Sequence, residues 1–321
     1  MIEVDNVTKY FGPVLAVDHV SFHIAKGEIV AFLGPNGAGK TTTMRILTSF
    51  IPATSGVARV AGHDVMSDSL GVRQNIGYLP ESVPLYPEMR VEEYLSYRAR
   101  LKGVDRKQRQ KRLDYCLDRC RIKEVRRRLI GTLSRGYRQR VGLADSLIHD
   151  PPILILDEPT AGLDPIQIDE TLKTIHTLGE EHTLLFSTHI LDEVEKVCER
   201  VLIINQGRLG LDKKLSELSA DTAVILLEVR GPAEQVASAL RAADGVAGVR
   251  SEPVEDDLSS FEVRTHEEKD LREALFDRVV KNGWKIRRLD LRRRKLEDHF
   301  REVVAQTAIV DRKRAKEIDA A

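Results

Sequence analysis

The stretch GPNGAGKT, from Gly34 to Thr41, constrains the fold more than any other part of this 321-residue chain. It matches the pattern G-x-x-x-x-G-K-S/T, whose glycines let backbone N–H groups turn toward phosphate oxygens. The run EIVAFLG before it is typical of a strand buried on both faces, and KTTTMRILTSF after it predicts a helix, whose N-terminus favours anions. We therefore predict a nucleotide site rather than a chance turn, with Lys40 on the β- and γ-phosphates and Thr41 on Mg²⁺.

Polar side chains also follow three other predicted strands. They are Asp157 and Glu158 after ILIL, His189 after TLLFST, and Glu81 after IGYLP. Asp157 is placed to hold Mg²⁺ through water, Glu158 to act as general base on an attacking water, and His189 to sense the γ-phosphate. In open α/β sheets, ligands bind outside the carboxyl ends of the strands. The four motifs therefore predict one Mg·ATP site.

The order of the predicted elements indicates two regions of different architecture. Strands and helices alternate up to about residue 217, as in a mostly parallel sheet with covering helices, and a basic helical segment lies at about 82–150. From residue 218 the order is β-α-β-β-α-β, which is typical of a ferredoxin-like unit. We expect an α/β nucleotide-binding domain over 1–217, an accessory α+β domain over 218–307 and a flexible charged tail over 308–321.

The composition argues against several classes of protein. A formal net charge of zero disfavours a general nucleic-acid-binding surface. Three cysteines, Cys116, Cys120 and Cys198, point to a reducing compartment and are interpreted as core thiols. No run approaches the ~18 apolar residues of a membrane span, so we expect any membrane-spanning part to be a different chain. From Arg98 to Arg140 there are 17 Lys and Arg against four Asp and Glu, which form either a solvated helical face or a surface near anionic lipid headgroups.

Together these motifs resemble those of the ATP-binding cassette family, the nucleotide-binding subunits of ABC transporters. The resemblance covers about residues 2–215 and follows the family order of GPNGAGKT, IGYLPE, LSRGY, ILILDE, AGLD and STH. It implies a cassette fold, in which an antiparallel β-subdomain and a helical subdomain join the mostly parallel sheet. It also implies ATP hydrolysis with Glu158 as the catalytic glutamate, Lys40 in the phosphate loop and His189 as the switch histidine.

The resemblance adds four sets of residues to the predicted site. Phe11 in KYFG matches the adenine-stacking position, with Tyr10 as the alternative, because stacking needs only a flat π face. Four residues match groups that contact an ATP held by a second copy of the chain, namely Ser134, Arg135, Gly136 and Asp164. The phosphate loop would contribute Gly34, Pro35, Asn36, Gly37, Ala38, Gly39, Lys40, Thr41 and Thr42. The implied metal-binding residues are Thr41, Glu81 and Asp157.

Two positions depart from the family pattern. Glu81 stands where the family usually has Gln, which adds negative charge beside a triphosphate. The signature is usually LSGGQ, and here Arg135 and Tyr137 replace Gly and Gln. Ser134 and the backbone N–H of Gly136 retain the groups that can bind a γ-phosphate at a helix N-terminus. Arg135 either adds a charge contact or lies in solvent.

The combination of IGYLPE, PLYPEM and LSRGYRQR, with LEDHF near the C-terminus, resembles ABC-2-type exporters, including ATPases tied to gliding motility. That resemblance implies a homodimer that closes around two ATP molecules and drives a separate permease at the cytoplasmic face of the membrane. The alternative is a soluble ABC ATPase acting on ribosomes or DNA, which the single cassette and the short helical segment disfavour. The region after residue 218 would either bind a small effector or stabilise the dimer.

We expect Glu81→Gln to alter the affinity for metal or nucleotide without abolishing ATP hydrolysis, because both side chains offer an oxygen to Mg²⁺. Steady-state ATPase rates at varied Mg²⁺ and ATP concentrations measure this. Loss of all activity would contradict the interpretation of Glu81 as a variant ligand.

Overall fold

The computed structural model describes residues 1–220, 223–255, 257–265, 270–293 and 295–305. The predicted tail at 308–321 lies outside these residues. The chain divides into two compact units, the first with residues Met1–Lys213 and the second with Lys214–Glu302. Residues 303–305 belong to the first unit. Val303 is buried, and a Cβ atom added at Gly210 would lie 2.3 Å from its Cγ1 atom. The division falls a few residues before the predicted boundary at 217, and the functional names of the two domains remain predictions.

The first unit is built on two sheets. Their strands are β1 (Ile2–Phe11), β2 (Val14–Ile24), β3 (Ile29–Leu33), β4 (Ser55–Val60), β5 (His63–Asp64), β6 (Ile76–Leu79), β7 (Ile153–Asp157), β8 (Thr183–Thr188), β9 (Arg200–Asn205) and β10 (Arg208–Lys214). One sheet is antiparallel with the order β2-β1-β4-β5, and the other has the order β10-β9-β3-β8-β7-β6. In the second sheet, β9, β3, β8, β7 and β6 are all parallel. A mostly parallel sheet beside an antiparallel one agrees with the predicted fold class.

The first unit contains seven α-helices within the described residues, and an eighth follows the boundary between the units. They are α1 (Lys40–Leu47), α2 (Ser69–Asn75), α3 (Val91–Leu101), α4 (Arg109–Arg119), α5 (Arg135–Leu147), α6 (Pro165–Gly179) and α7 (Leu191–Val197), followed by α8 (Leu215–Ala220) after the boundary. Within the predicted helical subdomain, the carboxylate of Asp145 on α5 accepts a hydrogen bond from Nε of Arg98 on α3 at 2.9 Å. The ammonium of Lys102 lies 3.3 Å from the same carboxylate. These ion pairs fix α5, which begins at the predicted signature turn, against α3.

The core of the first unit joins the two sheets. All residues of β3 except Ile29 are buried, as are all residues of β7 and β8. This agrees with the prediction of strands buried on both faces. One apolar cluster includes Phe32 and Leu185 from the parallel sheet and Ile2 and Val20 from the antiparallel sheet. The two sheets therefore support the loop after β3 from a common core.

The second unit has the predicted β-α-β-β-α-β order. Its elements are β11 (Ala223–Arg230), α9 (Ala233–Arg241), β12 (Val246–Glu255), β13 (Leu258–Thr265), α10 (Arg272–Lys281) and β14 (Lys285–Arg293). The strands pair antiparallel in the order β12-β13-β11-β14. Its core includes Ile225, Val236, Phe261 and Leu275, which come from both helices and from the sheet. A further helix occupies 296–305.

Among the described residues, we find no helix that is both long enough and apolar enough to span a lipid bilayer.

His149, after the end of α5, fastens that helix to the edge of the parallel sheet. Its Nε2 atom donates a hydrogen bond to the carbonyl of Ile76 at 2.9 Å. Burial lowers the pKa of His149 to about 4, and the nearby charge of Lys102 acts in the same direction. The folded chain therefore keeps this imidazole neutral where a solvated histidine takes up a proton.

We expect the first unit to lose stability as the pH falls from about 6.5 to about 4, because the unfolded chain binds this proton first. The contribution is complete above the ordinary pKa, and its size is up to roughly 3 kcal/mol. Urea unfolding between pH 4 and 7 measures it. His149→Gln keeps a donor for Ile76 and should flatten the pH dependence over this window. Equal slopes for the variant and the wild type would refute the assignment.

Candidate functional site

The loop between β3 and α1 contains glycines that no other residue could replace without strain. A Cβ atom added at Gly34 would lie 2.3 Å from the carbonyl oxygen of Ile204. Gly39 has a left-handed φ of 103°, and a Cβ atom there would lie 2.6 Å from the carbonyl oxygen of Ala16. Gly37 is left-handed as well. The loop is therefore pressed against neighbouring backbone, with Gly39 as the N-cap of α1.

Lys40 is held at the centre of this loop although its charge is almost completely buried. Its side chain is 6% exposed. The Nζ atom donates hydrogen bonds to the carbonyl oxygens of Gly34 at 2.7 Å and Pro35 at 3.1 Å. It also lies 3.2 Å from Oε1 of Glu158. The loop therefore holds the buried ammonium group of Lys40 beside the carboxylate of Glu158.

Asp157, at the end of β7, has one satisfied and one unsatisfied carboxylate oxygen. Oδ1 accepts hydrogen bonds from the hydroxyls of Thr41 at 3.2 Å and Ser187 at 2.6 Å. Oδ2 is buried without a hydrogen-bond partner. Burial raises the pKa of Asp157, and the charges of Glu158 and Glu81 add to this, although the two hydroxyls oppose it. An unpaired carboxylate oxygen beside a threonine hydroxyl suits a hydrated Mg²⁺ ion.

Glu158 adopts a strained backbone conformation next to these groups. Its φ of 47° is left-handed, which is uncommon for a residue with a side chain. Its backbone N–H donates to the hydroxyl of Ser187 at 2.9 Å. Oε2 lies 2.9 Å from Nδ1 of His189, which follows β8. The structure therefore brings Lys40, Asp157, Glu158 and His189 together at one edge of the sheet.

Glu81 and the two aromatic candidates are exposed, as His189 is, whereas Lys40, Asp157 and Glu158 are buried. Glu81 follows β6 and is close enough to Asp157 for its negative charge to help raise the pKa of that carboxyl, after burial. Phe11 and Tyr10 are 48% and 46% exposed. The ammonium of Lys9 lies 5.0 Å from the centroid of the Phe11 ring. Both rings are accessible, so the geometry leaves the choice of a stacking residue open.

The residues predicted to act on a second copy form a separate group. Ser134 caps α5, where its hydroxyl accepts from the backbone N–H of Tyr137 at 3.4 Å. Asp164 caps α6 by accepting from the backbone N–H of Gln167 at 2.9 Å. No hydrogen bond or ion pair within the described part of the chain joins Ser134, Arg135, Gly136 or Asp164 to Lys40 or Glu158. Within one chain, these residues and the cluster around Lys40 and Glu158 are therefore two separate groups.

Two residues that support the site, Ser187 and Glu193, were not predicted from the sequence. Ser187 contacts both acids, as described above. Glu193 on α7 is 1% exposed and accepts hydrogen bonds from the hydroxyls of Thr160 at 2.6 Å and Thr188 at 2.5 Å. Thr160 begins the turn after Glu158, and Thr188 precedes His189. A single buried carboxylate therefore holds the segments that bear Glu158, the general-base candidate, and His189, the candidate switch histidine.

Known proteins share this architecture. The ABC transporter family model matches residues 17–161. The bacitracin transport ATP-binding protein of Bacillus licheniformis is 37% identical over 211 residues, which cover 65% of this chain and 68% of that protein. The linearmycin resistance ATP-binding protein of Bacillus subtilis (strain 168) is 34% identical over 246 residues, covering 75% and 79%. A dimeric ATP-binding cassette in a post-hydrolysis state, bound to ADP and Pi, superposes with a TM-score of 0.61 and 26% identity over 67% of this chain and 99% of that one.

The fold and the site define a phosphate-loop ATPase built as an ATP-binding cassette. The chain belongs to the ABC transporter family, as an ATP-binding subunit. The predicted family, the cassette fold, ATP binding and ATPase activity are thereby confirmed.

We expect Glu193→Ala to lower kcat for ATP hydrolysis by about tenfold or more, because small displacements of catalytic groups have effects of this size. The affinity for ATP should change little, since the phosphate loop does not contact Glu193. Glu193→Gln keeps the volume and one acceptor oxygen and should be intermediate. ATPase rates and binding of a fluorescent ATP analogue measure the two effects. A wild-type kcat in Glu193→Ala would show that this carboxylate is dispensable.

Proposed function

We propose that the chain is the ATP-hydrolysing subunit of an ABC-2-type exporter, which acts as a homodimer and drives a separate membrane permease. Family membership supports the transport role, and the roles named for two relatives, bacitracin transport and linearmycin resistance, favour export of antibiotic-like compounds. The dimeric state of a similar cassette supports the homodimer. On this proposal the chain lies at the inner face of the cell membrane through its permease.

The observation that carries the catalytic proposal is the position of Glu158 between Lys40 and His189. Lys40 lies 3.2 Å from one oxygen of Glu158, and His189 lies 2.9 Å from the other. An incoming γ-phosphate would replace this carboxylate as the anionic partner of Lys40. Glu158 would then be free to accept a proton from the water that attacks phosphorus, while His189 orients the carboxylate and the phosphate. ADP leaves with the electrons of the broken P–O bond, and inorganic phosphate is released.

Thr41 and Asp157 are proposed to hold Mg²⁺, with Glu81 at the exposed side of the metal. The unpaired Oδ2 of Asp157 is the observation that supports this. When bound, the ion would neutralise charge on the phosphate oxygens. The loop backbone from Gly34 to Gly39, with Thr42, would cradle the phosphates, and Phe11 or Tyr10 would stack on adenine.

The second half-site is proposed to complete the site of a partner copy. Ser134 and the N–H of Gly136 lie at the start of α5, where a helix N-terminus favours an anion. Asp164 lies at the start of α6. Head-to-tail pairing of two copies would place each of these groups on the ATP held by the other chain. Closure around ATP and reopening after hydrolysis would then move the permease.

The transport role is tested by purifying the tagged chain from native membranes in mild detergent. Recovery of a multi-span membrane protein with the chain, and ATP turnover that responds to that partner, are the expected results. A partner-free chain whose ATPase rate rises with ribosomes or DNA would instead favour a soluble ABC ATPase.

We expect Ser134→Arg to leave ATP binding by the monomer intact and to abolish ATP turnover, because a bulky cation would block the γ-phosphate contact in the dimer. Nucleotide affinity below the dimerisation concentration and the steady-state ATPase rate measure the two effects. A Ser134→Ala control, which removes only the hydroxyl, should retain part of the activity. Unchanged turnover in Ser134→Arg would mean that this turn does no more than start a helix.

A further inference from the structure

Two segments of the second half-site lie against each other within one chain. The signature turn is defined here as Ser134–Gly136, and the D-loop as Ala161–Asp164. A Cβ atom added at Gly162 would lie 2.3 Å from Cζ and 2.4 Å from Nη1 of Arg135. The planar guanidinium of Arg135 therefore covers the backbone of the D-loop at a glycine. Gly162 also has a left-handed φ of 70°, so this position favours glycine for two reasons.

A second contact of the same kind involves Gly136 of the signature turn. A Cβ atom added at Gly136 would lie 2.3 Å from Oε1 and 3.3 Å from Nε2 of Gln167. Gln167 belongs to the first turn of α6, and its backbone N–H is bound by the capping Asp164. Arg135 of the signature turn thus lies over a glycine of the D-loop, and Gln167, which follows the D-loop, lies over a glycine of the signature turn. We call these two contacts the reciprocal glycine contacts.

Further contacts reach α6 from α5 and from Arg121, which follows α4. Arg140 on α5 donates a hydrogen bond to the carboxylate of Glu170 on α6. Arg121 lies 3.6 Å from the same carboxylate. Ser134 and Asp164 each cap their own helix, so the first turns of α5 and α6 are ordered where the glycine contacts occur. The signature turn and the D-loop are therefore joined both at their tips and along the helices behind them.

We infer that Arg135 and Gln167 are positioning residues that hold the signature turn and the D-loop together as one body. This inference rests on the proposed dimer, in which both segments act on the ATP of the partner chain. Arg135 works through the flat face of its guanidinium against Gly162 and not through its charge on the phosphate. The arginine that replaces the usual glycine then adds a contact within the chain, with Gly162. Gln167 makes the reciprocal contact, with Gly136.

The test compares kcat, KM for ATP and monomer nucleotide affinity in matched variants. Arg135→Gly and Gln167→Ala should each lower kcat by ~10-fold, because each loosens the trans half-site, and should leave nucleotide affinity within about twofold of the wild type. The double variant should lose much less than the product of the single effects, since both residues hold one interface. Strictly multiplicative effects, or a wild-type kcat in both single variants, would overturn the inference.

Arg135→Lys separates packing from charge, because lysine keeps the positive charge but has no planar group. Under the inference, its kcat falls nearly as far as that of Arg135→Gly. If Arg135 instead binds the phosphate as a cation, Arg135→Lys stays close to the wild type while Arg135→Gly raises KM. That second pattern would refute the positioning role. Thermal unfolding of each variant verifies that the chain remains folded.

A mixed dimer tests whether Arg135 acts on the partner's site. Glu158→Gln chains mixed with Arg135→Gly chains form dimers in which one site has both an intact Glu158 and an intact Arg135. Their ATPase rate should exceed the mean of the two parent variants. A rate equal to that mean would contradict action across the dimer. Failure of the wild-type chain to dimerise or to hydrolyse ATP would instead refute the proposed function, so the wild-type control keeps the two failures distinct.

Discussion

The parallel pairing of β3, β8 and β7 is the constraint on which the site depends. Parallel strands end at the same edge, and the register sets Asp157 beside Ser187 and Leu33 beside Thr188. Because all three strands are buried, a shift of register would move apolar side chains out of the core. The packing of these buried strands therefore fixes the distances between the acids at the end of β7, the histidine after β8 and the loop after β3.

The burial of charged side chains explains why the site contains so many hydrogen bonds and ion pairs. Lys40, Asp157 and Glu158 are 5%, 1% and 7% exposed. Removing such groups from water is costly unless hydrogen bonds and opposite charges offset the loss of hydration. Backbone carbonyls and Glu158 do this for Lys40, and hydroxyls do it for one oxygen of Asp157. The same low-dielectric setting strengthens interactions with a triphosphate. The burial that is unfavourable for these charged side chains therefore also favours binding of a highly charged ligand.

Much of the fold was predictable because its signals are local. Continuous aliphatic runs identified the buried strands, and the β-α-β-β-α-β order of the second unit followed from alternating segments. The short helix α2 was not predicted, because only Gly71 and Val72 are buried and two residues give no helical period. Helix α6 begins at Pro165 because Asp164 caps it and proline suits the first helical turn. The likeness to known cassettes confirms the fold and the ATPase activity, whereas the role of each site residue remains a prediction.

The sequence by itself determined the phosphate loop, the acids after β7 and the switch histidine as candidates, because each is a contiguous run of residues placed at a strand end. The tertiary structure alone decided which groups support them. Ser187 lies in the STH motif and Glu193 in a helix, but neither has a role that the sequence indicates, because a serine and a glutamate are ordinary until the fold buries them beside an acid or two hydroxyls. The tertiary structure also decided the position of Arg135, for which the sequence left two alternatives. Its guanidinium lies on Gly162, 27 positions away along the chain, and contacts between residues so far apart depend on how helices and strands pack.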